Sequence, residues 1–286
     1  GGGGGGGGGS RYHRDFQLTQ NGQIGLAIDF PWCEPRTNSE ADVAASRRHV
    51  DFSAGWQLDP IFKGDYPASM RKICGDRLPT FTQGEKALLR GSVDFIGLNH
   101  YFTRYGSTRP ASNLPGYIND MAVKYQKDPR WEESSMGWSV VPWGLKRALL
   151  YLQKTYAPPN GIMVTENGFA LKEESAQAAV HDADRIEYFQ GYMAQMHEAI
   201  AEGANVRGYF AWSLLDNWEW SHGYTQRFGL VHVMRESQKR VRKDSATFLS
   251  KVAHSNKLEL PLDVLASSKF SPPHWRKADG AVAQWW

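Results

Sequence analysis

The sequence predicts an α/β fold: four strand–helix units supporting a parallel sheet, with polar side chains collected along one rim. Three observations carry this. Short apolar runs that read as buried strands recur at residues 23–28, 93–98, 162–164 and 206–210. Stretches with helical periodicity or helix boundary signals lie between and after them, at 40–56, 142–156 and 182–203. Several runs pass straight into polar turns that carry a carboxylate or an amide, as at Glu166 before Asn167-Gly168. Alternating strands and helices imply parallel pairing, because each crossover returns the chain to the same end of the sheet.

Taken in order, residues 1–10 are nine glycines and a serine, a tract that reads as a flexible linker or an artefact and stays outside the fold. Asn21-Gly22 is a turn before the first strand, whose rim continues as Trp32-Cys33-Glu34-Pro35. Residues 40–56 have a helical apolar face from Ala45, Val50 and Phe52. Pro and Gly then punctuate a loop-rich stretch with a short helix around Met70. Thr82 and Glu85 have capping-box spacing and start a helix running to Leu89. The second strand brings Asn99 and Tyr101 to the rim, and residues 103–137 read as one long polar loop. Pro142 opens a helix that Pro158-Pro159 ends, and the third strand delivers Glu166. An amphipathic helix over 182–203 leads to the fourth strand and its loop. Residues 256–286 read as an irregular, mostly polar extension ending in aromatics.

Composition excludes more than it identifies. A formal charge of +3 without a long Lys/Arg run leaves no nucleic-acid footprint, and the cluster Lys239, Arg240, Arg242, Lys243 reads as solvated surface. No apolar run approaches a membrane span, and no signal peptide opens the chain, so a cytoplasmic location is the default expectation. Two cysteines make no disulfide scaffold, and neither has partners spaced for a metal; no metal and no cofactor is expected.

Two segments point to carbohydrate chemistry. In residues 161–168 a buried strand ends at the carboxylate of Glu166. In residues 208–220 an aromatic strand runs into a loop with two carboxylates, Asp216 and Glu219, and three tryptophans, Trp212, Trp218 and Trp220. Indole faces stack on the C–H faces of pyranose rings, while carboxylates accept hydrogen bonds from sugar hydroxyls. An aromatic core strand with a wet end would explain Phe210 and Leu214, but not Trp218-Glu219-Trp220.

Val164-Thr165-Glu166-Asn167-Gly168 and residues 211–220 resemble the two C-terminal signatures of glycoside hydrolase family 1, the β-glucosidase family, and residues 94–101 resemble a third landmark. The resemblance covers roughly residues 11–250. It implies a partial (βα)8 TIM barrel, the four C-terminal βα units of an open half-barrel, with domain limits at 11–255. It further implies Glu166 as nucleophile, Tyr101 as its hydrogen-bond donor, and Asn99, Trp212, Glu219 and Trp220 around the sugar of an unphosphorylated β-glucoside. Glu34 is read as structural. The family's Asn-Glu-Pro acid/base segment has no counterpart here. The activity implied is retaining β-glycoside hydrolysis by an incomplete site. The alternatives are a non-catalytic sugar-binding or interaction module, and one half of an assembly completed by an N-terminal half-barrel or by self-association.

Overall fold

The computed structural model describes residues 3–260 apart from 111, 113 and 174. Helices α1 (Gly3–Asp15) and α2 (Gln17–Gln20) precede strands β1 (Gly25–Asp29) and β2 (Trp32–Pro35). Helix α3 (Glu40–Val50) starts where Ser39 accepts the Asp42 N–H, and a π-helical turn, Asp51–Gly55, carries it into α4 (Trp56–Phe62). There follow α5 (Ala68–Cys74), α6 (Gln83–Leu89), β3 (Phe95–Asn99), β4 (Thr103–Thr108), α7 (Tyr117–Met121) and β5 (Val123–Gln126). The chain closes with α8 (Pro142–Tyr156), β6 (Ile162–Asn167), α9 (Ala176–Val180), α10 (Ala183–Ala201), β7 (Val206–Ala211), β8 (Val231–Val233), β9 (Arg240–Arg242) and α11 (Asp244–Ser255).

The central sheet has four strands in the order β1-β3-β6-β7, and every pair is parallel. Ile28, Ile96, Leu98, Ile162 and Val164 point to one face and are buried against Leu145, Ala148, Leu149 and Leu152 of α8 and Phe189 and Tyr192 of α10. Each such side chain taken from water contributes roughly 1.5–3 kcal/mol, so this layer fixes which face the strands turn outward. On the other face Gly97 is needed for close approach: a Cβ there would lie 3.0 Å from the Ala27 Cα and 3.1 Å from the Thr165 Cγ2.

The structure departs from the sequence expectation in three places. Most of the glycine tract is helical within α1, where Ser10 Oγ donates to the Leu88 carbonyl; the helix propagates back from the residues that dock on α6. Residues 103–137 are not one loop. β4 pairs in parallel with β2 and antiparallel with β5, because Thr103 and Tyr105 alternate inward and the scattered prolines and glycines fall outside the paired residues. Strand β6, expected over 162–164, also runs on to Asn167, so Glu166 lies within its last residues. Of the expected C-terminal extension, residues 261–286 lie outside the described residues. Among the described residues, no helix is long and apolar enough to cross a membrane.

Candidate active site

The β3–β6 ladder loses its register after Leu98, so that Asn99 faces Glu166 and not Thr165. The His100 N–H donates to the Glu166 carbonyl at 2.9 Å, which sets the backbone there. Two side-chain bonds follow from the shift. Thr165 Oγ1 donates to Asn99 Oδ1 at 2.6 Å, and the Tyr101 hydroxyl donates to Glu166 Oε2 at 2.6 Å. Tyr101 is itself held in place. Its carbonyl accepts from the Tyr188 and Tyr192 hydroxyls at 3.1 Å each, and its ring meets Trp138 and Phe228 at centroid distances of 5.2 and 5.9 Å. Burial, then the bond to Glu166 and the charges of Glu166, Glu219 and Asp29, push the phenol far above the usual tyrosine range. Tyr101 is therefore a fixed neutral donor aimed at a carboxylate.

Strand β7 is tied to the same rim through Asn167. Its Nδ2 donates to the His100 carbonyl at 2.7 Å and to the Tyr188 hydroxyl at 2.8 Å, and its Oδ1 accepts from the Tyr209 hydroxyl at 2.7 Å. The Trp212 N–H donates to the Asn167 carbonyl at 2.9 Å. Gly168 explains the Asn-Gly spelling: a Cβ at that position would sit 2.0 Å from the Trp212 carbonyl oxygen, so only glycine lets the two strand ends meet. Beyond β7, Trp212 Nε1 donates to Glu219 Oε1 at 3.1 Å, and the Glu219 N–H donates to the Gly223 carbonyl at 2.6 Å. Glu219 is only 5% exposed. Burial raises its pKa, the Trp212 bond opposes that, and the charges of Glu166 and Asp216 raise it further.

Glu166, Tyr101, Asn99, Trp212 and Glu219 are thus assembled by three neighbouring strand ends, with both carboxylates acting electrostatically on the one phenol. Trp220, the next residue of the loop after Glu219, is 76% exposed, with its ring 5.4 Å from that of Trp218. Glu34 is fully buried in the smaller sheet, where its Oε2 accepts from Trp32 Nε1 at 2.7 Å. Sequence reasoning passed over Thr165, Trp138, Phe228 and the stapling role of Asn167. Only Asn167 left a local signal, and that read as a turn. It also passed over Asp29, which pairs in register with Asn99 and whose carboxyl is raised by desolvation and then by the Glu166 charge.

Among the described residues one group has metal-ligand spacing, Glu173, Asp216 and His232. Cations of the chain already occupy it: Lys243 Nζ bonds Glu173 Oε1, and Arg227 Nη1 lies 3.1 Å from Asp216 Oδ2. These carboxylates are neutralised without an ion. Lys243, expected at the solvated surface, is 1% exposed, because the start of α11 turns it into this cluster.

Comparison with known proteins identifies the family. The glycosyl hydrolase family 1 model matches residues 9–258. The chain is 42% identical to β-glucosidase 26 of Oryza sativa subsp. japonica over 86% of its own length and 50% of that protein's, and 44% identical to β-glucosidase 42 of Arabidopsis thaliana over 78% and 48%. It superposes on the crystal structure of the rice Os3BGlu6 β-glucosidase with a TM-score of 0.79 at 37% identity, covering 84% of this chain and 53% of that one. The family 1 β-glucosidase from Thermotoga maritima gives 0.79 at 34% identity, with 88% and 55% covered. The chain spans about half the length of the curated relatives it matches. With the signature residues in place and the match running nearly from end to end of the described chain, the protein belongs to glycosyl hydrolase family 1.

Proposed function

We propose that this rim is the nucleophile side of a retaining β-glycosidase site acting on unphosphorylated β-glucosides. The observation that carries the reading is the 2.6 Å bond from the Tyr101 hydroxyl to Glu166 Oε2, beside a second carboxylate, Glu219, held by the Trp212 indole. A glycoside-cleaving nucleophile has to be aimed, and the hydrogen bond from the phenol fixes the rotamer of the carboxylate. Glu166 attacks the anomeric carbon and forms a glycosyl ester. Glu219 accepts hydrogen bonds from two ring hydroxyls, Trp212 lies beneath the sugar, Trp220 closes beside it, and Asn99 lines the same rim. Residues 216–220, Asp-Asn-Trp-Glu-Trp, offer no cation for a phosphate on the sugar.

Retention needs a second carboxylate about 5–5.5 Å from the first, to protonate the leaving oxygen and then activate water. This sequence contains no Asn-Glu-Pro. We read the four-stranded sheet as units five to eight of a (βα)8 barrel, with the acid/base belonging to unit four. Loss of general acid help costs roughly 10²–10⁴-fold, so the chain by itself works only on glucosides with good leaving groups. The test is slow release of dinitrophenol from 2,4-dinitrophenyl β-glucoside, abolished in Glu166→Gln. Ordinary turnover of an alkyl β-glucoside would overturn the missing acid, and release unaffected by Glu166→Gln would overturn the nucleophile.

A second reading has this chain completed by an N-terminal half-barrel or by another copy of itself. It is favoured by the groove of about 680 Å³ beside β7, where Phe210 and Leu214 are 57% and 67% exposed. Light scattering of the purified chain distinguishes a monomer from a closed pair.

A further inference from the structure

Asp216 lies three residues before Glu219, yet it faces away from the rim and into the protein. Its side chain is 3% exposed. Oδ1 accepts the Gly229 N–H at 2.9 Å, and Oδ2 accepts the Val233 N–H at 3.2 Å and Arg227 Nη1 at 3.1 Å. Lys243 Nζ is 3.5 Å from Oδ1, and His232 Nδ1 is 3.5 Å from Oδ2. The backbone around it is laced to the same returning segment: the Leu230 N–H donates to the Ser213 carbonyl at 2.8 Å, and the Asp216 N–H to the Val231 carbonyl at 3.2 Å. That segment is anchored in turn. Arg185 donates to the Arg227 carbonyl at 2.8 Å and to the Phe169 carbonyl at 3.1 Å, and Glu173 binds both Arg185 and Lys243.

The cluster therefore joins two loops, the one after β6, which follows Glu166, and the one after β7, which carries Glu219. Its formal charges balance, with Arg185, Arg227 and Lys243 facing Asp182, Glu173 and Asp216. A buried carboxylate with this many donors around it is an anchor, because moving it strands several charged groups at once. Glu219, by contrast, is held by one side-chain bond and by two backbone bonds that stay within its own loop, to Gly223 and His222, and its next residue, Trp220, is 76% exposed.

We propose that Asp216 is a positioning residue for the sugar site: through the knot it makes with Gly229, Val233 and Arg227 it sets where the Glu219 carboxylate meets the Trp212 indole. This rests on the reading of Glu219 as the group that grips the sugar, and two readouts keep the claims apart. The first needs no ligand. In Asp216→Asn the indole Nε1–H resonance of Trp212 is expected to move upfield as its bond to Glu219 loosens, with the circular dichroism spectrum unchanged. Because Asn at this buried site leaves an uncompensated cation, the same spectrum is recorded for Asp216→Asn combined with Lys243→Met, which restores the charge balance. The second readout is D-glucose affinity by calorimetry in a double-mutant cycle. Coupled neighbours of this kind show a loss of roughly two- to hundred-fold, expected for Asp216→Asn in the wild-type background and absent in the Glu219→Gln background. An unmoved Trp212 resonance in the folded double variant, or equal losses in both backgrounds, would overturn the proposal. A wild-type chain that binds no glucose refutes the sugar-site reading, while the indole resonance still decides the role of Asp216.

Discussion

Tyr101 donates to Glu166 over 2.6 Å although 65 residues of chain separate them. The bond is possible because β3 and β6 are adjacent and parallel, and because the register shift after Leu98 brings Asn99 opposite Glu166.

Removing that hydroxyl isolates its contribution. Hydrogen bonds to a charged partner are worth about 1.5–3 kcal/mol, so Tyr101→Phe should slow formation of the glycosyl-enzyme roughly 10- to 100-fold. The measurement is the rate at which 2,4-dinitrophenyl 2-deoxy-2-fluoro-β-glucoside labels Glu166, followed by mass spectrometry of the peptide. A rate equal to wild type would mean that the phenol does not assist the carboxylate.

The raised pKa of Glu219 makes two predictions of opposite sign. The sugar grip proposed for Glu219 uses its ionised form, so glucose affinity should fall as pH drops through a value above the ordinary 4.5 of a glutamate, and Glu219→Gln should flatten that dependence. For folding, the native state holds this proton more tightly than the unfolded chain. Stability from Glu219 is therefore greatest below pH 4.5 and is lost as pH rises through the folded value. Calorimetry across pH, on the wild type and Glu219→Gln, checks both.

His49 and His100 pull the other way. Burial lowers both imidazoles from 6.5 to about 4. The unfolded chain takes up those protons first, so the stability they contribute is complete above pH 6.5 and is lost as pH falls toward 4, up to roughly 3 kcal/mol for each at 1.36 kcal/mol per unit. The thermal midpoint should drop across that window. Imidazole resonances titrating near 6.5 in the native protein would contradict this.

Gly168→Ala should damage the rim from within. The added carbon meets the Trp212 carbonyl oxygen at 2.0 Å, so the strand ends have to separate. Overpacking of this kind costs about 1–3 kcal/mol, and labelling of Glu166 should slow with it. An unchanged urea midpoint would show that the strand ends yield freely.

Thr82→Ala is the corresponding test away from the site. Thr82 Oγ1 accepts the Glu85 N–H at 3.2 Å, and Glu85 Oε2 accepts the Thr82 N–H at 2.8 Å. Loss of the cap should destabilise the fold by about 1 kcal/mol and leave sugar binding unchanged.

Legibility in the sequence followed the range of the interactions. Strands and caps declared themselves locally: Thr82-Glu85 forms the capping box its spacing predicts, and α8 begins at Pro142 and ends at Tyr156 as the flanking prolines require. That Tyr101 meets Glu166, and that Trp212 and Glu219 share one rim, was legible because these residues sit in long signatures. What escaped depends on register and on distant partners. Nothing near Thr165 says that it will bond Asn99, since that follows from a one-residue slip between strands. Trp138 lies just beyond the stretch that reads as loop, where no element is expected, yet it supports the Tyr101 ring. Lys243 sits among surface cations and is buried only because Glu173 and Asp216 arrive from elsewhere in the chain.

That buried ammonium group offers a clock for the molecule. At 1% exposure, and bonded to Glu173, Lys243 is out of reach of any amine-reactive reagent while the fold is closed. Its neighbours Lys239, Arg240 and Arg242 are exposed, so a tryptic map after brief acylation would show Lys239 modified and Lys243 untouched. The slow appearance of label at Lys243 would then report how often the region around α11 opens, without any sugar in the tube.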